Sequence, residues 1–293
     1  MSHATTVATL DVPAADPQFV GPNAVSWTWS DKYTNLLRTN IATGANTLVA
    51  NCAELFDWSP DGTTAAYISW DGQRSALRQV ANGRDTKLAD LPRFPQIGCE
   101  SLGCADAWMF KVAYSSDGSL IAVIENFGGP ETTFRVWKRD GTLVLDGGAH
   151  TTATMAVWSG DDLYFRDTKG VEVWRGGTGV SSVLPGVAWI YPKASPAGSQ
   201  IAFTVRDPSG LPHVKLLDTP SGVVRELSGG ADRPAFLTSR YIWYEGIRLC
   251  TSADACPLAP VMPTGKAYIY DLQTGTSTAS IITNVSDVWP HAG

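Results

Sequence analysis

The sequence has few charged residues and no excess of positive charge. Of its 293 residues, 22 are Lys or Arg and 28 are Asp or Glu, which gives a formal charge of -6. Binding to nucleic acid requires clustered basic side chains that neutralise phosphates, so no nucleic-acid partner is expected. A charged fraction of 17% also argues against coiled coils and long surface helices.

Long hydrophobic runs are absent as well. No stretch approaches the roughly 20 apolar residues that a membrane-spanning helix requires, so no membrane span is expected. Residues 1–12 contain no basic segment followed by an apolar one, and no signal peptide is visible in this chain.

Histidine is scarce, and no familiar nucleophile motif occurs. A Gly-x-Ser-x-Gly elbow is missing, and the four histidines are scattered at positions 3, 150, 213 and 291. His150 follows a Gly-Gly-Ala run in a predicted linker and is interpreted as an exposed loop residue. The sequence therefore indicates no assembled Ser-His-Asp site.

The most informative feature that is present is a repeated turn. Residues 56–62 and 112–118 read FDWSPDG and VAYSSDG, residues 193–198 read KASPAG, and residues 157–162 form a shortened copy, VWSGDD. Each copy lies between two β-rich runs. Ser and Asp can hydrogen-bond the local backbone, Pro presets φ and Gly accepts positive φ, so each copy predicts a tight chain reversal.

Further β-rich runs follow each turn, and two flanking regions keep the same rhythm. The sequence thus predicts an all-β fold, a single six-bladed β-propeller domain over 1–293 with four-stranded antiparallel blades. The approximate blades are 16–51, 52–95, 105–149, 153–186, 187–230 and 231–285. We expect the two termini to close the ring, through either residues 6–10 or residues 288–293, because an open ring exposes strand edges.

The aromatic-Ser-Pro-Asp-Gly run followed by an apolar strand resembles the WD-like repeat of TolB-type propellers. The same repeat occurs in the propellers of prolyl-oligopeptidase-type enzymes. The resemblance covers about residues 60 to 230 and implies a propeller, but it is silent on function. TolB proteins also carry an N-terminal α/β domain and the oligopeptidases a hydrolase domain. Neither fits into this chain, so neither family's activity is carried over.

Four of the five cysteines form two close pairs in loop-like sequence. Cys99 with Cys104, and Cys250 with Cys256, are near enough along the chain to close small disulfides. The alternative is a zinc site of four thiolates, although the spacing is longer than usual and no His lies near either pair. Disulfides would imply an exported protein that is periplasmic, secreted or on the cell surface. Cys52 is interpreted as a small buried hydrophobe.

Aromatic residues divide into two groups. Trp58, Tyr114 and Trp158 occupy one repeat position directly before the turn serine, which predicts packing between blades. Trp70 and Trp108 lie outside that pattern. They are candidate binding residues that could stack on a sugar ring or a peptide.

Polar residues also lie on the strands that begin the predicted blades. The candidate binding residues of this kind are Glu54, Asp57, Lys111, Lys193, Asp232 and Arg233. Calcium prefers carboxylate and amide oxygens, but three cations among these residues favour ion pairs over a metal cage. We expect no metal site or cofactor, with calcium as the open alternative.

Two function hypotheses follow. The leading one is an exported, monomeric, non-catalytic binding or scaffold protein that presents one rim to a peptide, protein or glycan. The irregular segments 93–106 and 247–265, each with a Cys pair, are the favoured binding loops. The alternative is a hydrolase or lyase, lactonase- or phosphotriesterase-like, with a central-channel site and possible calcium assistance.

Overall fold

The computed structural model describes residues 15–20, 23–30, 34–70, 75–91, 111–126, 132–150, 154–251, 254 and 260–282. Within these ranges the chain forms 24 strands and no helix. The strands make six four-stranded antiparallel sheets, and in each sheet the strands follow one another in sequence order. These sheets are the six blades of the predicted all-β fold, and they are numbered 1 to 6 along the chain.

The first three blades contain strands β1 to β12. Blade 1 comprises β1 Ala15–Phe19, β2 Ala24–Ser30, β3 Thr34–Asn40 and β4 Asn46–Asn51. Blade 2 comprises β5 Ala53–Trp58, β6 Thr64–Trp70, β7 Ser75–Ala81 and β8 Arg84–Asp90. Blade 3 comprises β9 Lys111–Tyr114, β10 Leu120–Asn126, β11 Thr132–Lys138 and β12 Leu143–His150.

The last three blades contain strands β13 to β24. Blade 4 comprises β13 Thr154–Ser159, β14 Asp162–Asp167, β15 Gly170–Arg175 and β16 Gly179–Pro185. Blade 5 comprises β17 Ile190–Ala194, β18 Gln200–Arg206, β19 Pro212–Asp218 and β20 Val224–Gly229. Blade 6 comprises β21 Ala231–Phe236, β22 Tyr241–Leu249, β23 Val261–Asp271 and β24 Thr276–Ala279.

The chain divides into two compact units, with the boundary between Thr154 and Met155. Blades 1 to 3 belong to one unit, and blades 4 to 6 belong to the other. Within each unit, neighbouring blades pack face to face through apolar clusters. In the second unit, Tyr164 and Val173 of blade 4 pack against Phe203 of blade 5, and Ala202 of blade 5 packs against Phe236 of blade 6.

The residue types of each strand reflect how deeply that strand is buried within its blade. The second strand of a blade is covered on both faces, so it reads as a continuous apolar run such as Ile201-Ala202-Phe203. The outermost strand is largely solvated, and β16 and β20 consist mainly of exposed residues. β-Branched and aromatic side chains suit the half-buried faces between these extremes.

The predicted turn is confirmed, and its geometry explains the motif. The Ser59 hydroxyl donates to Oδ1 of Asp61 at 2.5 Å and accepts the N–H of Thr64 at 3.0 Å. Gly62 has a φ of 66° and donates its N–H to the Ser59 carbonyl. Ser115 makes the same contacts with Asp117 and Leu120. The motif therefore closes the first hairpin of its blade through local hydrogen bonds.

Of the three aromatic residues predicted to pack between blades, Tyr114 and Trp158 are buried and Trp58 is partly buried. Among the tryptophans whose side chains the structure describes, all except Trp58 are buried: Trp27, Trp137, Trp158, Trp174, Trp189 and Trp243. Trp158 and Trp174 meet edge to face with ring centroids 6.2 Å apart. Trp189 is fully buried between blades 4 and 5, although its position carried no repeat signal.

Two segments differ from the sequence predictions. His150 was expected in a linker, but β12 continues through it because Ala149 and His150 pair with Thr133 and Thr132 of β11. Much of segment 247–265 was expected to be irregular, but β22 runs to Leu249 and pairs with β23 from Val261. This hairpin extends beyond the outer strand β24, which pairs only with Tyr268–Asp271. The predicted ring closure through residues 6–10 or 288–293 lies outside the described residues.

Candidate functional site

Each blade has two chemically different ends. The repeated serine turns join the first and second strands at one end, which we call the turn end. The first strand begins at the opposite end, where a β-bulge interrupts its pairing in blades 1, 2, 5 and 6. We call this the bulge end. Bulges redirect side chains and are frequent beside functional sites, so the bulge end is the candidate functional end of the blades.

The bulge end of blades 4 to 6 carries a repeated backbone conformation. Met155, Tyr191 and Arg233 have φ values of 53°, 52° and 51°. Each lies four residues before the turn position, occupied by Ser159 in blade 4 and by Ser195 in blade 5. A left-handed conformation costs a residue with a side chain about 1 to 2 kcal/mol, and glycine adopts it more readily.

The side chains at these three positions differ in their surroundings. Met155 packs into the apolar cluster between blades 4 and 5, and its carbonyl accepts the indole N–H of Trp189 at 3.1 Å. Tyr191 is 38% exposed, and the side chain of Arg233 is 48% exposed. Packing therefore accounts for the methionine, but the tyrosine and the arginine project from strained positions into solvent.

Tyr191 and Arg233 contact each other across neighbouring blades. The guanidinium carbon of Arg233 lies over the Tyr191 ring, 5.6 Å from its centroid. This cation–π contact orients a planar cation on an aromatic support. Oδ1 of Asp232 accepts the backbone N–H of Arg233 at 2.9 Å, which holds the left-handed residue in place.

A half-buried carboxylate completes the cluster. Oε2 of Glu245 lies 4.0 Å from a guanidinium nitrogen of Arg233, at the limit of an ion pair. Burial raises the pKa of Glu245, Arg233 opposes the rise and the charge of Asp232 adds to it. Asp232 is itself buried and pairs in register with Glu245. We name Tyr191, Asp232, Arg233 and Glu245 the Arg233 cluster.

Polar side chains on the first strands of blades 1 to 3 have a different role. The Gln18 amide donates to the Phe56 carbonyl at 3.2 Å, and a carboxylate oxygen of Asp57 accepts the N–H of Tyr114 at 2.7 Å. Burial raises the pKa of Asp57 to about 6, although the Tyr114 N–H and the charge of Lys111 act against the rise. These contacts tie the first strands of blades 1 and 2 to the backbone of blades 2 and 3.

The predicted binding residues are thus distributed over several places. Asp232 and Arg233 lie in the Arg233 cluster, whereas Lys193 is half-buried farther along β17. Asp57 bonds to blade 3, and Lys111 is exposed at the start of β9. The residues or side chains that lie outside the described part are Glu54, Trp70, Trp108, Cys99, Cys104 and Cys256.

The two predicted disulfides stay predictions, because three of their four cysteines lie outside the described residues. Cys250 directly follows β22, and its N–H donates to the Pro260 carbonyl at 2.8 Å. Cys52, expected to be a buried hydrophobe, is a partly exposed free thiol with a φ of 53°.

The part of the chain that the structure describes comprises residues 15–20, 23–30, 34–70, 75–91, 111–126, 132–150, 154–251, 254 and 260–282. Among them, no group of three or more His, Cys, Asp or Glu side chains is arranged to hold a metal ion. In the same part of the chain, no helix could span a membrane.

Sequence reasoning missed Tyr191 as a partner of Arg233. One usable signal was present: a proline follows both residues, as Pro192 and Pro234. Proline within a strand indicates a bulge or an edge strand. The two Xaa-Pro pairs at one repeat position are therefore a signal from which a bulge in each of these strands could have been predicted. The left-handed conformation and the contact between blades were not predictable from that signal.

Comparisons with known proteins support the architecture. No family model and no curated protein matches this chain. The β-propeller domain of the Trilobed protease from Pyrococcus furiosus is 13% identical, with a TM-score of 0.63, and the match covers 93% of this chain and 85% of that one. An oligogalacturonate lyase solved in complex with manganese is 14% identical, with a TM-score of 0.60, covering 89% of this chain and 75% of that one.

TolB from Acinetobacter baumannii is also similar in structure. It is 13% identical, with a TM-score of 0.53, and the match covers 89% of this chain and 65% of that TolB. Identities this low show the fold alone, and the matched structures include both enzymes and TolB. With its six four-stranded antiparallel blades, this chain is a six-bladed β-propeller.

Proposed function

We propose that this chain is a non-catalytic binding protein that presents the bulge end of blades 5 and 6 to a peptide, protein or glycan ligand. The observation that carries the proposal is the contact between Tyr191 and Arg233, two exposed side chains on strained backbone. Strain of this kind persists where the surrounding structure enforces it, and it concentrates at binding and catalytic sites.

The composition of the cluster supports binding. Tyrosine and arginine are enriched among residues that dominate binding energy, because they combine a large contact area with directed hydrogen bonds. Here the ring and the guanidinium are held against each other before any ligand arrives, which lowers the entropy lost on binding. An exported, monomeric protein with loop disulfides remains part of this proposal.

Binding arrays of peptides and glycans test the proposal. We expect the wild-type chain to retain a ligand class that the Tyr191→Ala/Arg233→Ala variant loses. The matched control is Val223→Ala/Arg225→Ala, which removes an exposed apolar residue and an exposed arginine near the turn end of blade 5. It should bind like the wild type.

Two results would contradict the proposal. One is binding that survives in the Tyr191→Ala/Arg233→Ala variant. The other is turnover of ester, lactone or phosphotriester substrates by the wild-type chain, which would favour the hydrolase or lyase alternative.

A further inference from the structure

We propose that Arg233 anchors the terminal carboxylate of a peptide ligand. This inference rests on the proposed function and specifies its ligand: a peptide with a free C-terminus, held at the Arg233 cluster.

The guanidinium of Arg233 has donors to offer. Among the described residues it makes no side-chain hydrogen bond, and its nearest carboxylate oxygen lies 4.0 Å away on Glu245. The contact with Tyr191 engages the cation without using an N–H group as a hydrogen-bond donor. The planar guanidinium lies on the Tyr191 ring and, among the described residues, has only one long ion pair, with Glu245, so its N–H groups can donate to the two oxygens of a carboxylate.

The local charge favours a carboxylate over a phosphate. Two acidic residues, Asp232 and Glu245, lie beside the single guanidinium, and the whole chain has a formal charge of -6. A phosphate monoester near pH 7 carries between about one and a half and two negative charges. A monoanion therefore meets less repulsion at this site than a phosphate does.

The remaining acceptors favour a peptide end over a sugar acid. Oδ1 of Asp232 accepts the N–H of Arg233, and the half-buried Glu245 is the carboxylate nearest the guanidinium. A peptide terminus offers one N–H near its carboxylate, whereas a sugar acid offers several hydroxyl groups. Arg233 also covers a face of the Tyr191 ring on which a sugar would stack.

The experiment uses the full chain and two matched peptide pools. Both pools contain N-acetylated tetrapeptides of the same random composition, one with free C-terminal carboxylates and the other with C-terminal amides. Retention on the immobilised chain is measured by mass spectrometry, and oligomers of glucuronic acid form a third arm. The variants are Arg233→Gln, Arg233→Lys and Arg225→Gln, the last being an exposed arginine on β20 that controls for net charge.

We expect retention of the carboxylate pool to exceed that of the amide pool by about tenfold or more, as for a charge-assisted bidentate contact. Arg233→Gln should abolish the preference, Arg233→Lys should reduce it because lysine lacks the planar fork, and Arg225→Gln should preserve it. Equal retention of both pools, retention of neither, or retention of the glucuronate oligomers alone would overturn the inference.

The same data separate this inference from the proposed function. If both peptide pools are retained equally, and both are lost in Tyr191→Ala/Arg233→Ala, the cluster binds peptides without reading the carboxylate. The proposed function would then stand and the carboxylate anchor would fall. If the cluster retains no ligand class, both fall.

Discussion

The guanidinium of Arg233 lies over the ring of Tyr191, and both residues have left-handed backbone at the same position of neighbouring blades. Glycine adopts this conformation at lower cost. Blade 4 has Met155 at the equivalent position, where the side chain is packed in the interior. In blades 5 and 6 the side chains at this strained position contact each other at the surface. The strained backbone therefore lies where a ligand can reach it.

The strain at Arg233 can be measured by comparing two truncations. Arg233→Gly and Arg233→Ala both remove the contact with Tyr191. The difference between their free energies of unfolding therefore measures the cost of the left-handed backbone conformation. We expect the glycine variant to be more stable than the alanine variant by about 1 kcal/mol, because glycine lacks the Cβ that disfavours positive φ. Denaturant unfolding of both variants gives the difference in the free energy of unfolding.

Arg225 provides the control for that comparison. It lies within the outer strand β20, where glycine is disfavoured relative to alanine by about 0.5 to 1 kcal/mol. The order of the two variants should therefore reverse at position 225. If alanine were more stable than glycine at position 233 as well as at position 225, the backbone of Arg233 would be unstrained.

Replacing a buried hydroxyl group in blade 5 with a methyl group is expected to stabilise the fold. Thr204 is fully buried, and its Oγ1 has no hydrogen-bond partner among the residues that the structure describes. Thr204→Val keeps the shape and removes the unsatisfied group, so we expect the free energy of unfolding to stay equal or rise by about 1 kcal/mol.

Thr39 is the matched control in blade 1. It is also buried, but its Oγ1 accepts the indole N–H of Trp27 at 2.7 Å and donates to Oδ1 of Asn46 at 2.6 Å. Thr39→Val should lower the free energy of unfolding by about 1 to 3 kcal/mol, because it leaves the indole unpaired. Equal losses for the two variants would contradict the assignment of Thr204 as unsatisfied.

His213 predicts a pH dependence of stability. Its Nδ1 lies 3.2 Å from Oε1 of Glu226 and its Nε2 lies 3.3 Å from Oδ2 of Asp207. Glu226 and then Asp207 raise the pKa of His213 above its ordinary value of 6.5. The contribution to stability is therefore complete below pH 6.5 and is lost as the pH rises through the folded-state pKa.

The measurement is the free energy of unfolding of the wild type minus that of His213→Gln, between pH 5 and about pH 8. This difference should decrease as the pH rises. A difference that is constant over this range would show that the two carboxylates do not stabilise the imidazolium.

For Asp57 we expect stability to depend on pH in the direction opposite to that of an ordinary surface carboxylate. Its pKa rises from 3.8 to about 6 because of burial, so the folded chain holds the proton more tightly than the unfolded chain. Stability therefore falls as the pH rises from about 4 to about 6. Asp57→Asn removes this charge, while its amide oxygen can still accept the N–H of Tyr114. We expect the variant to gain stability relative to the wild type between pH 4 and pH 7.

Asp61 is the control for that prediction. Its hydrogen bond from Ser59 is the main cause that lowers its pKa to about 2, so its stabilising effect is present above pH 3.8 and is lost as the pH falls through 2. Asp61→Asn should therefore lose stability relative to the wild type at pH 7. If Asp57→Asn behaves in the same way as Asp61→Asn, the buried carboxylate has been misassigned.

The turn was predictable because its chemistry is local. Ser59, Asp61 and Gly62 lie within four residues, and the motif contains both the hydrogen-bonding groups and the glycine that the reversal requires. The alternation of β-rich runs and turns likewise predicted six blades, because each blade follows the chain order. The repeated position before the turn serine identified Tyr114 and Trp158 as buried residues, whereas Trp58 at the same position is only partly buried.

The Arg233 cluster was only partly predictable because it depends on contacts between blades. Asp232 and Arg233 were selected as polar residues on a first strand, but Tyr191 is 42 positions before Arg233 and carried no chemical signal of its own. Its contribution depends on two bulges in register and on the packing of blade 6 against blade 5. For the same reason, the bond between Asp57 and the Tyr114 backbone could not be read from the sequence.

The most direct test of the account is ligand retention by Arg233→Gly, measured together with its unfolding. We expect a folded variant, more stable than Arg233→Ala, that no longer retains the peptides bound by the wild type. Retention at the wild-type level by the folded glycine variant would contradict the claim that the strained arginine is kept for binding.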